Sequence, residues 1–319
     1  MHSSISNSDV AVAGQRSVVG AAAGMILLGV SLCAYFGALE FAIRKIVPTV
    51  SRSAQRAKHD YQAAIALRPT TPTGARTVLL VGNSLLLHAV DRRLLEESVG
   101  PRLATTVFPV ENTSGLDWYF GLRRYLSEGS RPSFIGVCLA ARQMAMQTTN
   151  GEAFASTMMR RSDLLEVTRA ARLDATTASN YYFATYSDWL GNRAGLRNWL
   201  LEMWLPNAST LVGYFTPRGG TPLGEAEVVA RALPAMQRLA ATARDYDIPL
   251  IFIWPPSSNR EDPVRAVDAA ATGAGLKGIM VYRPGELPAA MFSDGFHLNP
   301  DGAAQFTQRL GPALDATLR

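Results

Sequence analysis

The chain has 319 residues, 48% of them apolar and 18% charged, with a formal net charge of +5. That balance excludes a largely disordered chain, and the length suits one large α/β domain with an appendage. The positive excess is almost all arginine, with lysine only at Lys45, Lys58 and Lys277. These charges are scattered and form no basic stripe interleaved with aromatics, which argues against a nucleic-acid surface.

In chain order, residues 1–17 read as a tail and residues 18–47 as a membrane anchor. Residues 18–39 carry no charge and no proline, and match the ~20 residues that a bilayer-spanning helix needs. A secretory signal is the competing reading, but the apolar stretch is long for one and no small-x-small cleavage site follows it. Only Arg16 precedes the span, whereas Arg44, Lys45, Arg52, Arg56 and Lys58 follow it. By charge count alone the large domain falls in the cytoplasm. Cys33 lies in the span and Cys138 in an expected buried strand, so neither a disulfide nor a metal site is implied. Residues 48–75 read as a polar, helical stem that ends in a Pro- and Thr-rich linker.

From residue 76 the pattern changes. Residues 77–81 form a short apolar run that stops at Gly82, as expected of a strand buried on both faces. Further runs of this kind occupy 104–110, 134–139, 250–254 and 279–282. Helical patterns lie at 92–98, 116–126, 225–244 and 300–318. Alternating strands and helices predict a helix-covered parallel sheet. Residues 142–222 break the rhythm, being rich in Ala, Arg, Trp and Tyr, and read as a helical insertion. Its Tyr181, Tyr182, Tyr186, Trp189, Trp199 and Trp204 belong either to a core or to an aromatic platform for a sugar.

The chemistry lies at the two ends of residues 76–319. Gly82-Asn83-Ser84 follows the first strand, where parallel sheets gather their ligands. Taken alone, Ser84 is either a nucleophile or a helix cap. Some 210 residues on, Asp294-Gly-Phe-His297 sets an aspartate three residues before a histidine, immediately ahead of a helix. A serine nucleophile needs an imidazole base, and the imidazole needs a carboxylate to fix its tautomer. The chain has four histidines, His2, His59, His88 and His297, of which two lie in the tail and stem. His88, four residues after Ser84 on one helix face, reads as a packed residue, with a substrate contact or a competing base as the alternatives.

These blocks, Gly82-Asn83-Ser84 and Asp294-x-x-His297-Leu-Asn-x-x-Gly302, resemble the first and last blocks of the SGNH (GDSL-type) hydrolases. The resemblance implies a flavodoxin-like three-layer α/β/α sandwich with a parallel sheet, and Ser84, Asp294 and His297 as catalytic triad. It also implies an oxyanion hole from Ser84, Gly115 and Asn112. The family's asparagine after the third strand is replaced here by Ala140-Ala141-Arg142-Gln143, so Gln143 or Arg142 either takes its place or contacts substrate. No cofactor or metal is implied.

The single span resembles the anchored branch that accompanies membrane-bound O-acyltransferases in exopolysaccharide and alginate O-acetylation. That likeness implies a bacterial inner-membrane protein with an extracytoplasmic domain, an O-acyltransferase partner and a glycan acceptor. A plain anchored esterase or deacetylase, and an accessory subunit without strong catalysis, remain open alternatives.

Overall fold

A computed structural model describes residues 7–50, 52–205 and 223–318. The first six residues of the expected tail, residues 206–222 of the expected insertion, Ser51 and Arg319 lie outside the described residues.

Helix α1 (Asn7–Val50) contains the apolar span Ala21–Val47, with a mean hydropathy of 2.0 and side chains that are mostly exposed. By length and composition it is able to cross a bilayer, since 27 residues rise about 40 Å. The helix does not stop where the uncharged run ends at Glu40. Ile43 and Val47 are buried on its far end, so packing carries it onward.

The expected stem is helical too, as α2 (Arg52–Ala66), but it is no free spacer. Asp60 is 2% exposed and takes both guanidinium nitrogens of Arg92, at 3.0 and 2.7 Å. Tyr61 sets its ring edge against Tyr125, and Ser130 Oγ donates to the Ala64 carbonyl at 2.7 Å. Its polar composition conceals this docking, because an ion pair, hydrogen bonds and a tyrosine ring make much of the contact. Arg92→Ala strands the Asp60 carboxylate, at a cost of about 1–3 kcal/mol given that Arg92 is partly exposed. Thermal melts of Arg92→Ala and of Arg92→Ala with Asp60→Asn check this, the double variant recovering part of the loss.

Five strands follow: β1 (Arg76–Gly82), β2 (Leu103–Pro109), β3 (Phe134–Cys138), β4 (Leu250–Ile253) and β5 (Lys277–Ile279). All pair in parallel, in the order β2-β1-β3-β4-β5. Side chains alternate across the sheet, and both sets are apolar. Leu79, Val81, Val137 and Phe252 enter one core with α5 (Gly115–Ser127). Val78, Leu80, Ile251 and Ile253 enter the other with α3 (Ser84–Ala89) and α4 (Arg92–Val99). Helices therefore cover both faces, which makes three layers.

After β3 the chain leaves the sheet through α6 (Ala141–Met144), α7 (Gly151–Thr157), α8 (Leu164–Ala170), α9 (Ala175–Ala184) and α10 (Asp188–Trp204). It returns by α11 (Glu225–Arg244), whose Val228, Met236 and Leu239 are buried on the α5 side.

Two elements differ from expectation. β5 begins earlier and ends at Ile279, because its sole neighbour β4 is four residues long and Ile251–Ile253 pair with Lys277–Ile279. A helix the reading passed over, α12 (Val264–Gly273), buries Val264, Val267 and Ala271 at helical spacing. The last helix, α13 (Pro300–Thr317), closes the second core with Phe306, Leu310 and Leu314.

Candidate active site

The site forms at the carboxyl ends of β1 and β2. At the last residue of β1, a Cβ on Gly82 would lie 2.3 Å from the Cys138 carbonyl oxygen of β3 and 2.9 Å from Leu86 Cβ. Only glycine fits there, and it lets the chain turn tightly into α3.

Asn83 is 1% exposed and caps α3, its Oδ1 accepting from the Leu85 N–H at 3.0 Å. Its Nδ2 donates to the Thr113 carbonyl at 2.9 Å, tying the loop after β2 to this turn. The capping duty thus falls to Asn83, which leaves the hydroxyl of half-buried Ser84 free for another partner.

That partner comes from the segment before α13. An antiparallel bridge between Phe292 and Leu298, together with Ser293 N–H donating to the His297 carbonyl at 2.8 Å, closes a tight loop over residues 293–297. Gly295 holds φ at +78° within it. Asp294 Oδ1 accepts from the backbone N–H groups of Phe296 and His297 at 2.9 and 2.7 Å, and Oδ2 lies 2.7 Å from His297 Nδ1. The His297 backbone N–H, then its ring, hold the Asp294 carboxyl well below the usual carboxylate range.

An ionised carboxylate only accepts, so Nδ1 carries the imidazole proton and Nε2 presents its lone pair. Nε2 is 2.9 Å from Ser84 Oγ. Residues 213 positions apart thus form one unbroken chain, from hydroxyl to imidazole to carboxylate. Such a chain can withdraw the hydroxyl proton as oxygen attacks an electrophilic carbonyl, and return it to the leaving group.

The other expected site residues divide. His88 lies on α3 with its ring centroid 4.9 Å from that of His297, so it borders the site, but the imidazole bonded to Ser84 is that of His297. Partial desolvation, then the neighbouring His297, push His88 below its ordinary value and keep its ring neutral at pH 7. Asn112 is exposed in a left-handed conformation (φ 59°), and buried Gly115 opens α5. Both lie on the loop braced by Asn83. A Cβ on Gly115 would meet the Met144 carbonyl at 2.8 Å.

Arg142 and Gln143 each make one hydrogen bond within the protein. Arg142 donates to the Leu223 carbonyl at 2.6 Å, and Gln143 Oε1 accepts from the Ala140 N–H at 3.1 Å at the start of α6. Of the insertion's aromatics, Tyr181 is buried and bonded to Thr149, whereas Tyr182, Tyr186, Trp189 and Trp204 are exposed.

One wall was not read from the sequence. Pro255, Pro256 and Ser258 after β4 join Leu85, Ala140 and Phe296 around a small pocket, and Ser258 Oγ donates to the Gly295 carbonyl at 2.5 Å. The Pro-Pro pair directly after a buried strand was the available signal, since prolines end the strand at the sheet's ligand-binding edge. Neither this small pocket nor a roomier hollow of about 460 Å³ against α11 at Arg231 and Gln237 is lined by a member of the hydrogen-bonded chain, but the small one is bordered by the sequence neighbours Leu85, Gly295 and Phe296.

Among the described residues, no cluster of three His, Cys, Asp or Glu side chains is placed to hold a metal ion. Cys138 is buried in β3, which pushes its thiol up to about 12. No protein-family model matches the chain, and no curated protein matches it.

Proposed function

We propose that this chain is a membrane-anchored serine acyl-esterase or O-acyltransferase of the SGNH type, with Ser84 as nucleophile, His297 as base and Asp294 as its orienting carboxylate. The observation that carries this reading is the hydrogen-bonded chain from Ser84 Oγ through both ring nitrogens of His297 to Asp294 Oδ2. The strand order 2-1-3-4-5 supports the flavodoxin-like sandwich that the resemblance implies.

In the first half-reaction Ser84 Oγ attacks an acyl ester while His297 Nε2 takes its proton. The oxyanion is stabilised by the N–H groups of Ser84 and Gly115, with Asn112 beside them. His297 then protonates the leaving alcohol, which leaves an acyl-serine. In the second half-reaction His297 deprotonates a sugar hydroxyl, which takes the acyl group and frees Ser84; water in that place gives hydrolysis. Transfer to an extracytoplasmic glycan, with a membrane-bound O-acyltransferase as partner, is the form the anchored resemblance favours.

A fluorophosphonate probe tests the nucleophile directly. It is expected to label Ser84 of the wild type, to fail on Ser84→Ala, and to label His297→Ala far more slowly. A folded wild-type chain left unlabelled at Ser84 would sink the reading. Release of acetate from an acetyl ester, measured with and without a polysaccharide acceptor, then separates transfer from hydrolysis.

A further inference from the structure

The helical insertion is locked to the anchor by one carboxylate. Glu40 Oε1 accepts from Asp188 N–H at 2.7 Å, while Oε2 accepts from Ser187 Oγ at 2.8 Å and Trp189 N–H at 3.3 Å. It thereby serves the first turn of α10, where unpaired N–H groups favour a negative charge. Arg44, bonded to the same Glu40, also reaches Asp188 at 3.3 Å.

The depth of this joint follows from the rise of the helix. The uncharged run, residues 18–39, rises about 33 Å, close to the thickness of a bilayer's hydrocarbon core. Glu40, and with it the start of α10, therefore falls at the boundary between acyl chains and headgroups.

Around that joint the insertion exposes aromatic and apolar side chains, interspersed with Asp188, Arg193 and Arg197. Phe183 and Tyr186 are 55% and 50% exposed, and Trp189 projects beside them. At the other end of α10, Leu201, Met203 and Trp204 are exposed as well, Trp204 at 85%. The opposite side of α10 is occupied, with Gly191 tight against Ser156 and Arg193 paired with Glu152 of α7. Cations border the aromatic rings: Arg161 lies over Tyr186 at 3.7 Å and Lys45 over Phe41 at 5.8 Å. Aromatic rings with cations beside them are the composition of a membrane–water interface.

We propose that α9 and α10 rest on the same bilayer that α1 crosses, as a second, lateral contact with acyl chains and anionic headgroups. Glu40 fixes the angle between α1 and α10, which spares an acidic residue at the end of the span from lying unpaired in lipid. This inference rests on the reading of α1 as a bilayer-spanning anchor.

Tryptophan emission tests it, because α1 contains no tryptophan, and Trp118 and Trp254 are buried in the core. The full chain is reconstituted into vesicles of phosphatidylcholine and phosphatidylglycerol, with bromine on the upper acyl-chain carbons. The expected result is strong quenching that is mostly lost in the Trp189→Phe, Trp199→Phe, Trp204→Phe triple variant, which removes every tryptophan of α10. Unquenched emission from a chain that survives alkaline washing overturns the lateral contact alone, and leaves the exposed rings open to a glycan or protein. Loss of the chain on alkaline washing overturns the anchor reading, and the lateral contact with it.

Discussion

Ser84→Ala is expected to lower the turnover of an acetyl ester by about 10⁴-fold or more while leaving the fold intact. Without Oγ no acyl-enzyme forms, and His297 has nothing to activate. The fold survives because the hydroxyl's bond is to His297 whereas Asn83 caps α3, so the cost is at most about 1 kcal/mol. His297→Ala is expected to be about as damaging. Asp294→Asn brings a loss of the order of 10⁴-fold, since an amide no longer holds the proton on Nδ1. His88→Ala serves as the control, with a far smaller effect, because its ring touches His297 without bonding Ser84. Turnover and thermal melts of the four variants decide the matter. A folded Ser84→Ala protein with undiminished activity ends the serine mechanism, and the accessory-subunit reading takes its place.

The second large effect is expected from a residue with no reactive atom. Gly82→Ala places a methyl 2.3 Å from the Cys138 carbonyl, and the obstacle is strand backbone rather than the far end of a flexible side chain. Either β1 parts from β3 or the turn that carries Ser84 shifts. The first route costs about 3 kcal/mol, as overpacking in a core does. The second moves Oγ out of line with His297, and a displacement of about 1 Å costs roughly 100-fold in rate. A urea midpoint reports the first route and the rate of phosphonate labelling reports the second. Wild-type values for both would show that the turn is softer than its packing implies.

The strands that cross the sheet's centre were legible in the sequence. β1 and β3 are buried on both faces, so their apolar runs are continuous. The bounds of α11 are those read from residues 225–244, because its buried face repeats at helical spacing. The edge was less legible, since the length of β5 is set by its neighbour β4 and not by its own residues. Docking of α2 was hidden for a related reason: Asp60 and Tyr61 look like solvent-facing polar residues until Arg92 and Tyr125 are placed beside them.

At the site, Asp294 and His297 share one loop, and their partnership is a matter of local spacing. Ser84 was singled out by its place after a strand. What it does not do, cap α3, required the geometry of Asn83. Arg142 and Gln143 were named by position in a block, and position carries no information on where a side chain is already engaged.

The direction of α2 has one more consequence. Its second turn pairs Arg56 with Glu111, just beyond the carboxyl end of β2, and its last turn meets Ser130 at the amino ends of the strands. The helix thus runs antiparallel to the sheet and enters the domain on the rim that carries Ser84. A single residue of sequence separates α1 from α2. If α1 crosses a bilayer, so short a connection keeps Ser84 close to that surface, within on the order of 20 Å, a few turns of helix. Such a geometry works on a thin layer of solution. It gives a substrate held at that surface a high effective concentration, and a soluble one in the bulk no comparable advantage.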